Sequence, residues 1–431
     1  MRDFASSDSP EVQEQLDRLA ALSLPQGRFG LETITTLLDR LDDPQTRIPP
    51  AFHVAGTNGK GSTCAYLRAM LEAEGLRVHT ATKPHLVRYN ERIRLGGELI
   101  SDELLAQLLC EVLDTAEDLG PSFFEVTTAA MFLAFAREPA DACVIETGLG
   151  GRFDATNVLP HPAAVGIATL GIDHEAFLLR PEEGTPHHPL ARIAFEKAGI
   201  IRPGSPTCTL AYPEGPTLEI ERAALAAGAP LHMRGQDWDI TFVDVIEYSD
   251  RHGALTLPAP RLEGAHQADN AALAVAMLRH QDRVRVSPEA MARGIDAAEW
   301  PARLQLLARG PLTAQGPVRE VWLDGGHNVD AGLAIGRHFA GHRLHLIVGM
   351  LANKNPEAIV APLTPWLASI QAVAVPGQDC HPAPAFAPGA RDAASVGEAL
   401  AALPDDGLPA LIAGSLYLAG DVLRANEQAP G

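Results

Sequence analysis

Eight consecutive residues, Gly56-Thr57-Asn58-Gly59-Lys60-Gly61-Ser62-Thr63, bring together three glycines, a lysine and three hydroxyls. A loop of that composition leading into a helix presents its backbone N–H groups to phosphate oxygens. Glycines are needed because any Cβ would block so close an approach. Lys60 would carry a mobile positive charge to the outer phosphates, and the Ser62 hydroxyl could ligate magnesium. The spacing is not that of a strict P-loop, since Gly61 separates the lysine from the hydroxyls. The competing reading is a turn that binds nothing. Strand, glycines, lysine, hydroxyls and helix in that order favour a nucleotide site.

Other polar groups end apolar runs. Glu146 follows DACVI, and Asp173-His174 follows AVGIATLGI. In an open parallel sheet, ligands bind outside the carboxyl ends of the strands. Glu146 suits magnesium, whereas the His174 imidazole suits softer metals better. Singly, each reads as a satisfied strand-end group; with the glycine-rich loop they read as a metal–phosphate site. Glu146 also opens ETGLGGRFDATN (146–157), where Gly148, Gly150 and Gly151 allow a tight loop and Arg152 and Asp154 add opposite charges. Lys197, in FEKAGI, reads by itself as a solvated helical lysine beside Glu196. His53 reads as a core histidine, and His187 and His188 sit in a proline-rich loop. Arg88, Arg92 and Arg94 read either as a solvated basic face or as a dock for anionic substrate tails.

The elements that must position these residues alternate between strand and helix. Residues 51–55 predict a strand, 62–74 a helix with Leu67, Met70 and Leu71 on one face, and 78–82 a second strand. That βαβ unit implies a parallel sheet. Further strands are expected at 141–146 and 163–170, with an apolar helix over 127–136, and 231–258 reads as β-rich. Helix 269–280 closes the first domain. After Trp300-Pro301 a second α/β pattern begins, with strands at 320–324, 344–350, 371–376 and 410–414. Its helices are expected at about 329–339, through SVGEALAAL, and at the end of the chain. The proline-rich patch 376–389 reads as a surface loop. The expected fold is therefore α/β: a P-loop-type parallel-sheet domain over 1–299, followed by a smaller Rossmann-like α/β domain over 300–431.

With 431 residues, 46% hydrophobic, the chain is long enough for two or three cores. A net charge of −20, from 34 basic and 54 acidic residues, argues against a general nucleic-acid binder. It leaves room for an anionic small substrate in a local basic cleft. No apolar run is long enough to span a bilayer, and the opening MRDFASSDSPEVQEQ lacks a signal-peptide layout, so a cytoplasmic protein is expected. Five scattered cysteines, Cys64, Cys110, Cys143, Cys208 and Cys380, read as reduced thiols.

Taken in order, the motifs RFGLETI (28–34), HVAGTNGKGST, PHLVRYNERI, FFEVTTAA, ETGLGGRFDATN, DH (173–174), EKAGI, LDGGHN and AGSLYLAGDV resemble the folylpolyglutamate synthase and dihydrofolate synthase family, within the Mur-type ATP-dependent amide ligases. The resemblance runs almost end to end. It implies ATP binding by Thr57, Asn58, Gly59, Lys60, Gly61, Ser62 and Thr63, joined by Asn270, Arg303 and Asp324 across the domain cleft. Ser62, Glu146 and His174 would organise magnesium, and Lys197 looks like the lysine that family members carry as a carbamate to ligate a second magnesium. Phe124 and Asp154 are implied pterin contacts, with Arg152 and Lys83 beside them, and His327 and Ser415 sit where glutamate is expected. The chain departs from the family's pattern in several places, among them the loosened Gly264-Ala265-His266-Gln267 and three more. Lys83 replaces the usual serine of Ser-Pro-His-Leu, Ala302 replaces the glycine of Pro-Gly-Arg, and the segment between His174 and Lys197 is longer.

The chemistry so implied is amide formation from a carboxylate. MgATP would phosphorylate the substrate carboxylate, and the amine of L-glutamate would attack the acyl phosphate, with Lys60, Lys197 and His327 as the catalytic set. Domain closure would align the reactants and exclude water. The expected partners are small molecules: dihydropteroate or a reduced folate, L-glutamate and ATP, with no nucleic acid and no membrane. The expected protein is a monomer. The alternatives are a single-activity folylpolyglutamate synthase, another Mur-type amide ligase, and a non-catalytic P-loop nucleotide-binding regulator.

Overall fold

Short apolar runs such as AFHVA and ACVIE lie buried along their whole length, as strands covered on both faces must be. In the computed structural model, which describes residues 7–22 and 30–431, they form the centre of an eight-stranded sheet. Residues 1–6 of the opening segment, and Arg28 and Phe29 of RFGLETI, lie outside the described residues. The strands are β1 (Ala51–Ala55), β2 (Val78–Ala81), β3 (Ile93–Leu95), β4 (Glu98–Leu99), β5 (Ala142–Glu146), β6 (Ala164–Ile167), β7 (Thr207–Thr209) and β8 (Leu231–Met233). Their order is β4-β3-β2-β5-β1-β6-β7-β8; β2 to β8 pair parallel, and the β3–β4 hairpin closes one edge antiparallel.

Helix Lys60–Ala73 follows β1 after the short loop 56–59 and buries nine of its 14 residues. Helix Pro288–Ala297 packs on it at very short range: a Cβ on Gly294 would overlap the Met70 backbone, so glycine sets the approach. Helices Asp102–Thr115 and Phe123–Arg137 share one apolar cluster with helices Pro10–Ala21 and Glu32–Arg40, through residues such as Leu16, Ile34, Leu109, Val126 and Phe132. The β-rich stretch continues as an antiparallel sheet of β9 (Trp238–Phe242), β10 (Ile246–Asp250) and β11 (Gly253–Leu257). Trp238, Ile240, Ile246 and Tyr248 alternate inward from its first two strands.

The chain divides into two compact units. The first holds the chain up to Lys83, Arg88–Arg261 and Ala268–Glu299; the second holds Pro84–Val87, Leu262–Gln267 and Trp300–Gly431. Two short segments within residues 1–299 thus belong to the second unit. The Leu86 carbonyl lies against Gly420, where a Cβ would collide with it, and Arg424 donates to the Val87 carbonyl at 3.0 Å.

The second unit's sheet contains β12 (Gln305–Leu306), β13 (Val321–Asp324), β14 (Leu344–Val348), β15 (Leu367–Val373), β16 (Arg391–Ala393) and β17 (Ala410–Ala413), in the order β12-β13-β17-β14-β15-β16. All pair parallel except β12. β15 begins four residues before the expected 371, because Ser369 and Gln371 interrupt its apolar pattern. Each is satisfied inside the fold, by His345 at 2.8 Å and by the Ala399 carbonyl at 2.9 Å. The patch 376–389 is a largely exposed loop, as expected, pinned at two points where Ala383 and Phe386 enter the core and where Asp392 accepts the Ala383 N–H at 2.9 Å.

Candidate nucleotide and ligase site

β1, β5 and β6 lie side by side, with Val54 opposite Glu146 and Ala55 opposite Ile167. Loop 56–63, Glu146 and the 168–174 segment therefore leave the same end of the sheet. Thr57 fastens the first to the third. Its N–H donates to the Thr169 carbonyl at 2.7 Å, and its hydroxyl donates to the Gly171 carbonyl at 2.8 Å while accepting the Gly171 N–H at 3.0 Å. Gly59 has φ +81 at the helix start, where a side chain would be strained, and its Cα faces the Asn270 carboxamide. Asn270 is buried in helix His266–Arg279 of the first unit's side of the chain. Ser62 is 3% exposed; the Thr63 hydroxyl is fully buried with no partner, so only the Thr63 backbone, bonded to the Gly59 carbonyl at 2.8 Å, joins the loop.

Two amines meet at one carbonyl. Lys60 Nζ donates to Gly56 O at 3.0 Å and Thr57 O at 3.2 Å, and Lys197 Nζ donates to Gly56 O at 2.7 Å. Lys197 is not solvated: it is 4% exposed. Burial and then the charge of Lys60 push its ammonium well below the usual lysine range, against the opposing pull of Asp173, Asp154 and Glu196. His174 takes φ +54 ahead of a short helical turn, an uncommon conformation for a side-chain-bearing residue, and Asp173 Oδ1 accepts its N–H at 2.7 Å.

Loop 146–157 is held from inside by Asp154. Its Oδ2 accepts the Gly148 and Leu149 N–H groups at 2.8 Å each, and its Oδ1 accepts from Thr156 N at 3.0 Å and Thr156 Oγ1 at 2.5 Å. Thr156 Oγ1 also meets His53 Nε2 at 2.8 Å. His53 is a core histidine, pushed down to about 3 chiefly by burial. Arg152 faces away from this network. It is engaged by Glu182 (2.6 Å) and Glu196 (2.8 Å), which Arg192 also binds, and it stacks over Phe153. The long 174–197 segment thus supplies Glu182 to anchor the loop. A Cβ on Gly151 would sit 2.7 Å from the Glu196 carbonyl, which explains the glycine.

Lys83 follows β2, and Glu146 Oε2 accepts its N–H at 3.0 Å. Burial lowers its ammonium's pKa, with Asp154 opposing and Arg92 assisting. Phe124 is 37% exposed on helix Phe123–Arg137. The three arginines do not share a face. Arg92 is buried against the Tyr89 and Phe123 rings, Arg88 is exposed, and Arg94 is half-buried. His187 and His188 are exposed.

In the second unit, Asp324 at the end of β13 pairs with Ala413 at the end of β17, so GGHN (325–328) and Gly414-Ser415 leave neighbouring strand ends. Asp324 Oδ2 accepts Leu304 N at 2.8 Å and its Oδ1 accepts Gly326 N at 2.6 Å, tying the Arg303 turn to the GGHN loop. Arg303 donates to the Ala302 carbonyl at 2.8 Å. His327 Nδ1 lies 3.0 Å from Gly325 O, and the Ser415 hydroxyl caps the last helix by accepting Tyr417 N at 3.2 Å.

A carboxylate, a hydroxyl and an imidazole fit magnesium only if substrate oxygens and water complete its shell, which is how that ion usually binds. No group of three or more His, Cys, Asp or Glu suited to a metal occurs among the described residues. The anchoring roles of Glu182 and Thr156 were not legible in the sequence: Glu182 stands 30 residues from Arg152 and 10 from Arg192, a separation that carries no signal of its own.

No family model matches the chain. It is 34% identical over 351 residues to the dihydrofolate synthase/folylpolyglutamate synthase of Bacillus subtilis, covering 77% of each. It is 33% identical to the mitochondrial folylpolyglutamate synthase of Homo sapiens, of which it spans about half the length (54%). E. coli FolC in complex with DHPP and ADP superposes with a TM-score of 0.85 at 29% identity, covering 97% of this chain and 98% of that one. A bifunctional folylpolyglutamate synthase/dihydrofolate synthase with Mn, AMPPNP and L-glutamate bound gives 0.82 at 28% identity over 99% of each chain. The chain belongs to the folylpolyglutamate synthase/dihydrofolate synthase family of ATP-dependent ligases.

Proposed function

We propose that this chain ligates L-glutamate to dihydropteroate and to the glutamate tail of reduced folates, using ATP and magnesium. The observation that carries this reading is the convergence of loop 56–63, Glu146, His174 and Lys197 at one sheet end, with Lys60 and Lys197 on the same carbonyl. The substrate carboxylate attacks the γ-phosphorus, the bond to the β-phosphate oxygen breaks, and ADP leaves. The amine of glutamate adds to the resulting acyl phosphate, and phosphate departs as the amide forms. Such a reaction asks the protein mainly for alignment and charge neutralisation.

Lys60 swings from its loop carbonyls to the phosphates, and the N–H groups of loop 56–63 hold them. Ser62, Glu146 and His174 would hold magnesium, which when bound neutralises phosphate charge. The neutral amine favoured at Lys197 is the form that adds carbon dioxide, losing a proton and leaving an anionic carbamate with oxygens suited to the same ion. Asn270, Arg303 and Asp324 serve the nucleotide, Phe124 the pterin side, with Asp154 shaping the loop beside it through its four internal hydrogen bonds, and His327 and Ser415 the glutamate. If Gly325 O accepts from Nδ1, the His327 proton resides there and Nε2 is left in the form a base needs. We place the protein in the cytoplasm as a monomer acting on small molecules, without nucleic acid or membrane. No described helix is long and apolar enough to cross a bilayer.

The test is ADP release with MgATP and L-glutamate, adding dihydropteroate or a reduced folate in parallel, with product masses. One glutamate added in both reactions supports the reading. Addition in only one assigns a single activity. ATP turnover with no pterin present counts against the coupling, and no turnover in either favours another acceptor or a regulator. Chelating magnesium should abolish product formation, and adding the ion back should restore it.

A further inference from the structure

The Lys83 side chain runs along the glycine-rich loop that Glu146 opens. A Cβ built on Gly148 would lie 3.4 Å from Lys83 Cδ, 3.9 Å from Nζ and 3.3 Å from Asp154 Oδ2, so the ammonium and that carboxylate border the same bare glycine. Across from it, Nζ donates to Thr128 Oγ1 at 3.4 Å, a long and weak bond. Thr128 stands one helical turn from the half-exposed ring of Phe124, on the same face of its helix.

An ammonium carries three donors, and here they have that one bond and no ion pair among the described residues. Asp154 is close enough to attract Lys83 through space, yet its two oxygens already accept four hydrogen bonds, the full capacity of a carboxylate. Glu146 is reached by the Lys83 backbone, not by its ammonium. The fold therefore holds a cation with unused donors between Phe124 and Glu146. Lys83 is partly exposed, so those donors are open to an anionic ligand group.

We propose that Lys83 binds the reacting carboxylate of the pterin substrate and so sets the substrate's reach from the Phe124 face to the phosphate loop. The assignment rests on the ligase reading above. It makes Lys83 a specificity residue: a pterin with a neutral group in place of the carboxylate loses the contact, whereas ATP and glutamate do not depend on it.

The test is calorimetric binding of dihydropteroate and of its carboxamide to the full chain with MgADP, for the parent protein, Lys83→Met and Lys83→Arg. The expected result is a preference of at least tenfold for the carboxylate in the parent, retained in Lys83→Arg and abolished in Lys83→Met. Lys83→Gln gives the same readout should the methionine variant not fold. A preference unchanged in the neutral variants overturns the assignment while leaving the ligase reading intact. Equal weakening of both ligands also overturns it, since that reports packing alone. Failure of the parent to bind either pterin removes the ligase reading and this assignment with it.

Discussion

Lys60 and Arg152 were both legible as charged residues beside glycine turns, and the structure gives them different tasks. Lys60 contacts only loop carbonyls, which cost little to leave when phosphate arrives. Lys60→Met should keep the fold and lower ADP release roughly a hundred- to thousandfold, the usual loss when a charge-stabilising donor is removed; a near-parental rate would count against its phosphate role. Arg152 is bound by two half-buried to buried carboxylates. Arg152→Met should lower stability by about 3 kcal/mol in urea unfolding, because Glu182 and Glu196 lose one of the two arginines that bind them. An unchanged midpoint would show the network to be dispensable. In the sequence, Arg152 and Asp154 stood out only as opposite charges on one loop. The actual partners of Arg152 stand 30 and 44 residues on, at positions set by how the 174–197 segment folds back.

At the scale of elements, periodicity revealed the strands whose residues are apolar throughout and the helices that cover them. It did not reveal helices Asp102–Thr115, Pro189–Ala198, Glu214–Ala227 and Pro288–Ala297, whose half-buried faces mix polar and apolar residues. Nor could it show the turn around Arg303. Ala302 and Leu304 have φ of +57 and +42, left-handed values that side chains disfavour, and both are buried. Hydrogen bonds from Ala302 N to Gln305, from Gly325 N to the Ala302 carbonyl, and from Leu304 N to Asp324 hold the turn in place. Glycine at 302 relieves strain while losing a buried methyl, so Ala302→Gly should change stability by less than about 1 kcal/mol. The same change at Ala274, buried inside a helix, should cost about 1 kcal/mol or more. Paired thermal melts decide it; equal losses at both positions would show no strain at 302.

For the molecule as a whole, acid is the expected weakness. His53 and His280 are buried and held down to about 3 and about 4, chiefly by burial. His280 stacks on His232 at 4.0 Å and lies 5.4 Å from His252, with Arg279 and Asp250 beside it. Both folded values lie below the ordinary histidine value of about 6.5, so unfolding takes up protons beneath that pH. The stability this gives is complete above pH 6.5 and is lost as pH falls toward 4, by about 1.4 kcal/mol per pH unit for each histidine. Unfolding followed across that window should show the slope, and His280→Gln should reduce it. A slope unaltered by the substitution would place the acid sensitivity elsewhere.

The division of the chain also has a consequence for its synthesis. Leu86 and Val87 belong to the second unit, but Arg424, which binds the Val87 carbonyl, is 337 residues downstream. At about 5–20 residues per second, a ribosome needs roughly 17–67 s to cover that distance. Throughout that interval the nascent first unit has acquired most of its residues while Leu86 and Val87 wait without the helix that receives them. A stop codon just before Leu416 would make that wait permanent, so helix Leu416–Ala425 decides whether a segment made more than three hundred residues earlier finds its place.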